Sequence, residues 1–78
     1  MAAVSKQTGN VYENLANAII VQAAEDYRRL LKRAKKNPAN REALDEALQI
    51  ERFFRSGWYQ RLTNVDGEFL IRKLQEDI

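Results

Sequence analysis

The chain has 78 residues, a formal net charge of +2 at pH 7, 45% hydrophobic residues and 31% charged residues. This length allows at most one domain, and the composition is typical of a folded globular chain. The sequence contains no cysteine and no histidine, which excludes disulfides, thiol nucleophiles, imidazole general bases and most zinc sites. One proline and three glycines leave few turn signals for a β-rich fold, so we predict an all-α protein.

The first predicted helix runs from Val11 to Lys36. Asn10 is a good N-cap, and Glu13 completes a capping box with it. The helix is expected to end before Asn37-Pro38, because the residue preceding a proline avoids the α conformation. Residues 1–9 are predicted to form a short flexible lead. The apolar residues that recur at helical spacing are Val11, Leu15, Ile19, Ala23, Tyr27, Leu30, Leu31 and Ala34.

Three shorter helices are predicted after the proline. The second starts near Pro38 or Asn40, and its apolar face includes Phe54, which we expect to be buried. Ser56 is expected to cap a short third helix from Trp58 to Leu62. A turn follows, and the fourth helix runs from Asp66 or Gly67 to Ile78. The predicted fold is one long N-terminal helix packed against a hairpin of two or three shorter helices, in a single domain over residues 10–78.

The stretch from Leu15 to Ala24 is apolar in more than one direction. Ile19, Ile20 and Val21 are consecutive, whereas a surface helix of a monomer normally has one apolar stripe. An uncovered second face predicts a two-fold dimer. The alternative is that the second and fourth helices flank the first on both sides and leave no patch. The residues predicted to form the dimer interface are Ala16, Ile20, Val21 and Ala24.

A run of basic residues occupies the end of the first helix. No acidic residue lies between Arg28 and Arg41, so the local positive charge exceeds the net charge. The functional interpretation is an anion site for a nucleic-acid backbone, a nucleotide phosphate or an acidic protein. The alternative is that these cations only favour a helix C-terminus and are solvated. The candidate ligand-binding residues in this run are Arg28, Arg29, Lys32, Arg33 and Lys36.

A second candidate site lies between Arg52 and Arg61. Four of the seven aromatic residues and three arginines occur in these ten positions, and such groups stack on bases or anchor protein interfaces. The alternative is that the rings form the core and the arginine stems cover its edge. We assign the phenylalanine pair to the core. The candidate partner-binding residues are Arg55, Trp58, Tyr59 and Arg61.

The other polar residues favour structural roles. Asp26 is predicted to pair with Arg52 or Arg55 across a helix interface. The segment from Asn64 to Glu68 lacks the twelve-residue spacing of a calcium loop, so no metal site is predicted, and no cofactor either. No nucleophile stands beside a base and no phosphate-binding glycine loop is present, so we do not expect an enzyme.

Neither export nor membrane insertion is expected. The N-terminus has no basic region followed by an apolar run. The longest uncharged stretch after it, Asn14 to Ala24, has about half the length that a bilayer requires. We therefore expect a cytoplasmic protein that does not engage a membrane.

Two stretches carry a family resemblance. The first comprises Asn14-Leu15-Ala16-Asn17-Ala18-Ile19, Gln22-Ala23 and Asp26-Tyr27-Arg28. The second comprises Phe53-Phe54-Arg55-Ser56, Trp58-Tyr59, Leu62-Thr63 and Asp66-Gly67-Glu68-Phe69-Leu70-Ile71. With them the chain, from Asn10 to Leu74, resembles small all-helical proteins of prophages and mobile elements of Gram-positive bacteria.

The resemblance implies a context and carries no assigned activity or catalytic residues. The implied protein is a phage or mobile-element accessory protein that binds a host macromolecule or an anionic ligand in the cytoplasm of a bacterial host cell. It would counteract host defence, as an anti-CRISPR protein or by sequestering a nucleotide signal. The alternatives are a small nucleic-acid-binding transcriptional regulator and a structural or assembly component of a phage particle.

Overall fold

The computed structural model describes the backbone of residues 2–78 and the side chains of residues 11–78. It contains four helices, α1 (Ala2–Lys36), α2 (Arg41–Phe54), α3 (Gly57–Leu62) and α4 (Gly67–Glu76), and no strand within residues 2–78. The molecule measures 53 × 23 × 20 Å, and α1 packs against each of the three shorter helices. The predicted all-α fold, with one long helix against shorter ones, is confirmed. Over the described residues, none of the helices is both long enough and apolar enough to cross a bilayer.

The end of α1 agrees with the prediction. Its last residue is Lys36, and the amide of Asn37 still donates to the carbonyl of Arg33 at 3.0 Å before Pro38 begins a short turn. Proline cannot donate the next backbone hydrogen bond and disfavours the α conformation of the residue before it.

The start of α1 differs from the prediction. The helix begins at Ala2, so the prediction of a start at Val11 behind an Asn10 cap is wrong. A capping preference is worth only about 1 kcal/mol, and residues 2–10 contain no proline that would stop the helix. The predicted lead, residues 1–9, falls on Met1, which is outside the described residues, and on residues whose side chains are not described.

Short polar side chains start α2 and α3. Asn40 Oδ1 accepts a hydrogen bond from the amide of Ala43 at 3.1 Å, and Ser56 Oγ accepts one from the amide of Tyr59 at 3.2 Å. The Ser56 hydroxyl also donates to the carbonyl of Phe53 at 2.6 Å, so one side chain joins the end of α2 to the start of α3. The predicted caps at Asn40 and Ser56 are confirmed.

The core lies where the four helices meet. Phe54 is 1% exposed, and its ring packs edge to face against those of Tyr27 and Tyr59, at centroid distances of 5.9 and 5.7 Å. Such pairs stabilise a core beyond the area they bury. The prediction that Phe54 is buried is confirmed. The buried core residues are Tyr27, Leu30, Ala43, Ala47, Phe54, Tyr59, Ile71 and Leu74.

The first turn of α4 lies directly against the end of α2. A Cβ atom at Gly67 would overlap the carbonyl oxygen of Phe54 and lie 3.0 Å from its carbonyl carbon. A residue without a side chain is therefore required for this close approach of the two backbones. A Cβ atom at Gly57, in contrast, would meet nothing within 4 Å.

Candidate anion-binding surface

Six basic residues lie on the last three turns of α1, and all six are exposed. Three of them occupy the last turn, where the carbonyl groups at the helix C-terminus stabilise positive charge. We call this set the basic surface; it consists of Arg28, Arg29, Lys32, Arg33, Lys35 and Lys36.

Among the described side chains, only two of these cations have a partner within the chain, and only one of those partners is acidic. Arg29 forms an ion pair with Asp26, and Lys35 Nζ donates to the carbonyl of Ile78 at 3.2 Å. Within the described side chains, no ion pair involves the remaining four cations. These are Arg28, Lys32, Arg33 and Lys36. The surface therefore presents uncompensated positive charge to the solvent.

The cations of the basic surface surround an open groove of about 680 Å³ that Glu25 and Ile78 also line. Arg28, Lys32 and Lys36 follow one another at four-residue intervals, each a rise of about 6 Å along the helix. A row of long cationic side chains at this spacing is suited to successive anionic groups of a chain-like ligand. Arg41, at the start of α2, is exposed but does not line the groove.

Lys35 is a groove residue that the candidate set omitted. Its position within the basic run was the sequence signal that could have identified it. Its contact with Ile78, in contrast, joins positions 43 residues apart. The spacing of residues within one helix carries no information about such a contact.

The arginine and aromatic segment does not form one surface. Tyr59 is 1% exposed and packs among the rings of the core, so its assignment as a partner-binding residue is corrected. Trp58 is 58% exposed, and Arg61 is exposed. Adjacent residues of a helix point about 100° apart, so α3 turns Tyr59 inward and its neighbour Trp58 outward.

Arg55 is engaged within the chain. Its guanidinium pairs with Glu51 at 3.1 Å and with Glu68 of α4. The hydrogen bond with Glu68 raises the pKa of Arg55, and the same bond lowers the pKa of Glu68. Arg55 therefore joins α2 to α4, and as a ligand-binding residue it would first have to give up these acidic partners.

The predicted pairing of Asp26 with Arg52 or Arg55 is wrong. Asp26 pairs with Arg29 one turn away and accepts a hydrogen bond from Gln22 at 3.0 Å. Both contacts lie within α1, where neighbours three and four residues apart meet without any tertiary packing.

The residue of α1 that does form a polar link to α2 and α4 is Tyr27. Its hydroxyl donates to Glu51 at 2.6 Å and accepts from Gln75 at 3.1 Å, so one side chain of α1 reaches both α2 and α4. Burial raises the pKa of Tyr27 to about 12, and the bond to Glu51 adds to this effect. The sequence contained no signal for this link, because the three residues are 24 and 48 positions apart.

The predicted dimer face of α1 is corrected. Ile20 and Ala24 are partly buried against the core, and Ala16 is 9% exposed. Val21 is 54% exposed and is the one residue of the four that faces solvent. The alternative, in which the second and fourth helices cover α1 on both sides, is also wrong, because apolar side chains of α1 remain exposed. Among the described side chains of α1, the large apolar residues that are exposed are Val11, Tyr12, Leu15, Ile19 and Val21.

The described residues offer no metal-binding cluster as an alternative functional site. In the described part of the chain, no three acidic residues converge on a point where a metal ion could bind. Comparisons of the chain with protein-family models, with curated proteins and with solved structures find no match in any of the three. Within the described residues, the basic surface is therefore the feature that indicates a function.

Proposed function

We propose that this chain is a non-enzymatic binding domain that engages a polyanion through the basic surface of α1. The observation that carries the proposal is the row of exposed cations along an open groove, five of which take part in no ion pair within the described side chains. Phosphate groups of a nucleic-acid strand are the chemistry that such a row fits best, because they repeat along a chain and release counterions when cations replace them.

A purely solvated helix end is the competing interpretation. Macrodipole stabilisation needs positive charge only in the last turn, since the effect falls off beyond it. Arg28, Arg29 and Lys32 lie before the last turn of α1 and extend the charge further than that effect requires. The groove also includes the apolar side chain of Ile78 beside the aliphatic stems of the cations.

In the prophage context that the resemblance implies, such a domain would act by occupying a host nucleic acid or a nucleic-acid-bound complex. Its interaction would be electrostatic and tolerant of sequence, since cations along a phosphate backbone carry no base readout.

The test is the binding of labelled duplex DNA and single-stranded RNA, followed by fluorescence anisotropy over a range of salt concentrations. The variant is the triple charge reversal Lys32→Glu, Arg33→Glu and Lys36→Glu. Each reversal changes the charge by two units, so the net charge goes from +2 to −4 (2 − 6). We expect binding that weakens steeply with salt in the wild type and falls by about tenfold or more in the variant.

A matched control separates local charge from net charge. Arg52, Arg61 and Arg72 are exposed, lie outside the basic surface, and form no ion pair within the described side chains. Reversing these three also gives a net charge of −4 and should leave most of the affinity in place. Equal losses in both variants, or no polyanion binding by the wild type at low salt, would contradict the proposal.

A further inference from the structure

α1 is much longer than each of the helices that pack on it. The helix has 35 residues and a length of about 52 Å, whereas α2 has 14 residues and a length of about 21 Å. Among the described hydrophobic side chains of α1, Ile20 is the first that packs on the main core cluster, and Ala16 is the one buried residue before it. We call residues 11–19 the arm. An isolated helical segment of this kind is marginally stable in water, so a packing partner would stabilise it.

One face of the arm is apolar and exposed. Val11, Leu15 and Ile19 are 44%, 56% and 41% exposed, and their four-residue spacing places them on one stripe. The adjacent Tyr12 is 82% exposed. The stripe continues into a groove of about 630 Å³ between α1 and α2, which Leu15 and Ile19 line together with Phe53. The apolar surface therefore runs without interruption from the arm onto the body of the molecule.

The proportion of charged residues along α1 rises sharply from Glu25 onwards. Only Lys6 and Glu13 are charged among residues 1–24, whereas eight of the twelve residues from Glu25 to Lys36 are charged. Depletion of charge around exposed apolar side chains is the compositional mark of the centre of a protein interface. A nucleic acid would find no cations on this face, so the arm and the basic surface are suited to different partners.

We propose that the arm pairs with the arm of a second copy of this chain, antiparallel and about a two-fold axis at Leu15. The stripe has equal steps on both sides of Leu15, so a two-fold axis there places Val11 against Ile19 of the partner subunit and Leu15 against Leu15 of the partner subunit. Such a self-complementary stripe needs no other molecule to cover it.

The exposed apolar side chains supply about half of the area of a standard interface. Val11, Tyr12, Leu15 and Ile19 together expose roughly 400 Å² per chain, from their exposed fractions and the areas of such side chains. A standard interface buries about 800 Å² per partner. The exposed side chains of Asn14, Ala18 and Gln22 lie on the same face and add to the total area that the pairing would bury. The pair differs from the dimer expected from the sequence, because it uses the neighbouring stripe of α1.

The first test is sedimentation equilibrium of the wild type, of Leu15→Glu and of Leu48→Glu. Leu48 is 51% exposed on α2 and outside the groove, so it receives the same change at a similar exposure. We expect a wild-type dimer at micromolar concentration and a dissociation constant raised about 30-fold or more in Leu15→Glu alone. Both leucines are exposed, and circular dichroism should show both variants folded. A monomeric wild type, or a Leu15→Glu variant that dimerises as well as Leu48→Glu, would overturn the proposal.

The second test addresses the orientation of the two arms. The chain has no cysteine, so an introduced thiol is unique. Val11→Cys and Ile19→Cys variants are mixed and oxidised, and the linked dimers are identified by mass spectrometry. The antiparallel pair predicts that the mixed disulfide dominates. Predominance of either homodimeric disulfide would mean that the arms are parallel, and random amounts of all three would mean that they do not pair.

Discussion

The two buried tyrosines differ in what their hydroxyls meet, and this difference predicts opposite effects of the same substitution. Tyr27 is 0% exposed and its hydroxyl has two partners, Glu51 at 2.6 Å and Gln75 at 3.1 Å. Tyr59 is 1% exposed, and its hydroxyl has no hydrogen-bond partner among the described residues. Replacing either residue with phenylalanine removes one oxygen and leaves the ring in place.

The magnitudes follow from the partners. A hydrogen bond to a charged group contributes about 1.5–3 kcal/mol, and a neutral one about 1 kcal/mol. Tyr27→Phe removes one hydrogen bond of each kind. Glu51 then loses the donor that Tyr27 provided, and its remaining ion pair with Arg55 compensates for this loss only in part. We expect the free energy of unfolding to fall by about 3 kcal/mol. Tyr59→Phe removes a buried hydroxyl that lacks a partner, so we expect no loss and a gain of up to about 1 kcal/mol.

The assay is chemical and thermal unfolding of the wild type and both variants, followed by circular dichroism at 222 nm. In a domain of this size, 1 kcal/mol shifts Tm by roughly 4–8 °C, so Tyr27→Phe should melt at least 10 °C lower. Tyr59→Phe should melt at the wild-type temperature or a few degrees higher. Equal destabilisation by the two substitutions would refute the reasoning, as would a loss of more than about 1 kcal/mol in Tyr59→Phe.

Three further predictions concern the core, the contact between α2 and α4, and alkaline pH. Phe54→Ala should lower the free energy of unfolding by about 3–4 kcal/mol, measured by urea denaturation, whereas Phe69→Ala, at a ring that is 45% exposed, should cost less than half as much. Gly67→Ala should cost about 1–3 kcal/mol because its Cβ would overlap a backbone carbonyl, and Gly57→Ala, with free space at the same atom, should be neutral in the same titration. The pKa of Tyr27 is raised from 10.0 to about 12, so its contribution is complete below pH 10 and is lost as the pH rises through 12. Between these pH values the wild type should therefore lose about 2 kcal/mol more stability than Tyr27→Phe, and identical pH profiles would show that the phenol is not responsible.

The helices beyond the first turns of α1, and the residues at which most of them end, could be predicted from local sequence. Pro38 ended α1, and the side chains of Asn40 and Ser56 started α2 and α3 through hydrogen bonds to amides three residues away. These effects act over a few residues, so they can be inferred without knowing the fold. The burial of Phe54 also followed from local pattern, because it shares one face of α2 with Ala43 and Ala47.

Tertiary structure alone decided which apolar face of α1 is covered. Leu15 to Ala24 is apolar in several directions. The sequence predicted that the stripe of Ile20 and Ala24 is uncovered, whereas the structure covers it and exposes the stripe of Leu15 and Ile19. The first stripe is covered because the body of the molecule packs against that side of α1.

The polar contacts between helices were decided in the same way. Tyr27 meets Glu51 and Gln75, and Arg55 meets Glu68, only because packing brings distant segments together. The place of Gly67 against the carbonyl of Phe54 is also a product of that packing. Local chemistry specifies where a helix begins and ends, whereas the faces that meet are selected by the burial of area summed over the whole chain.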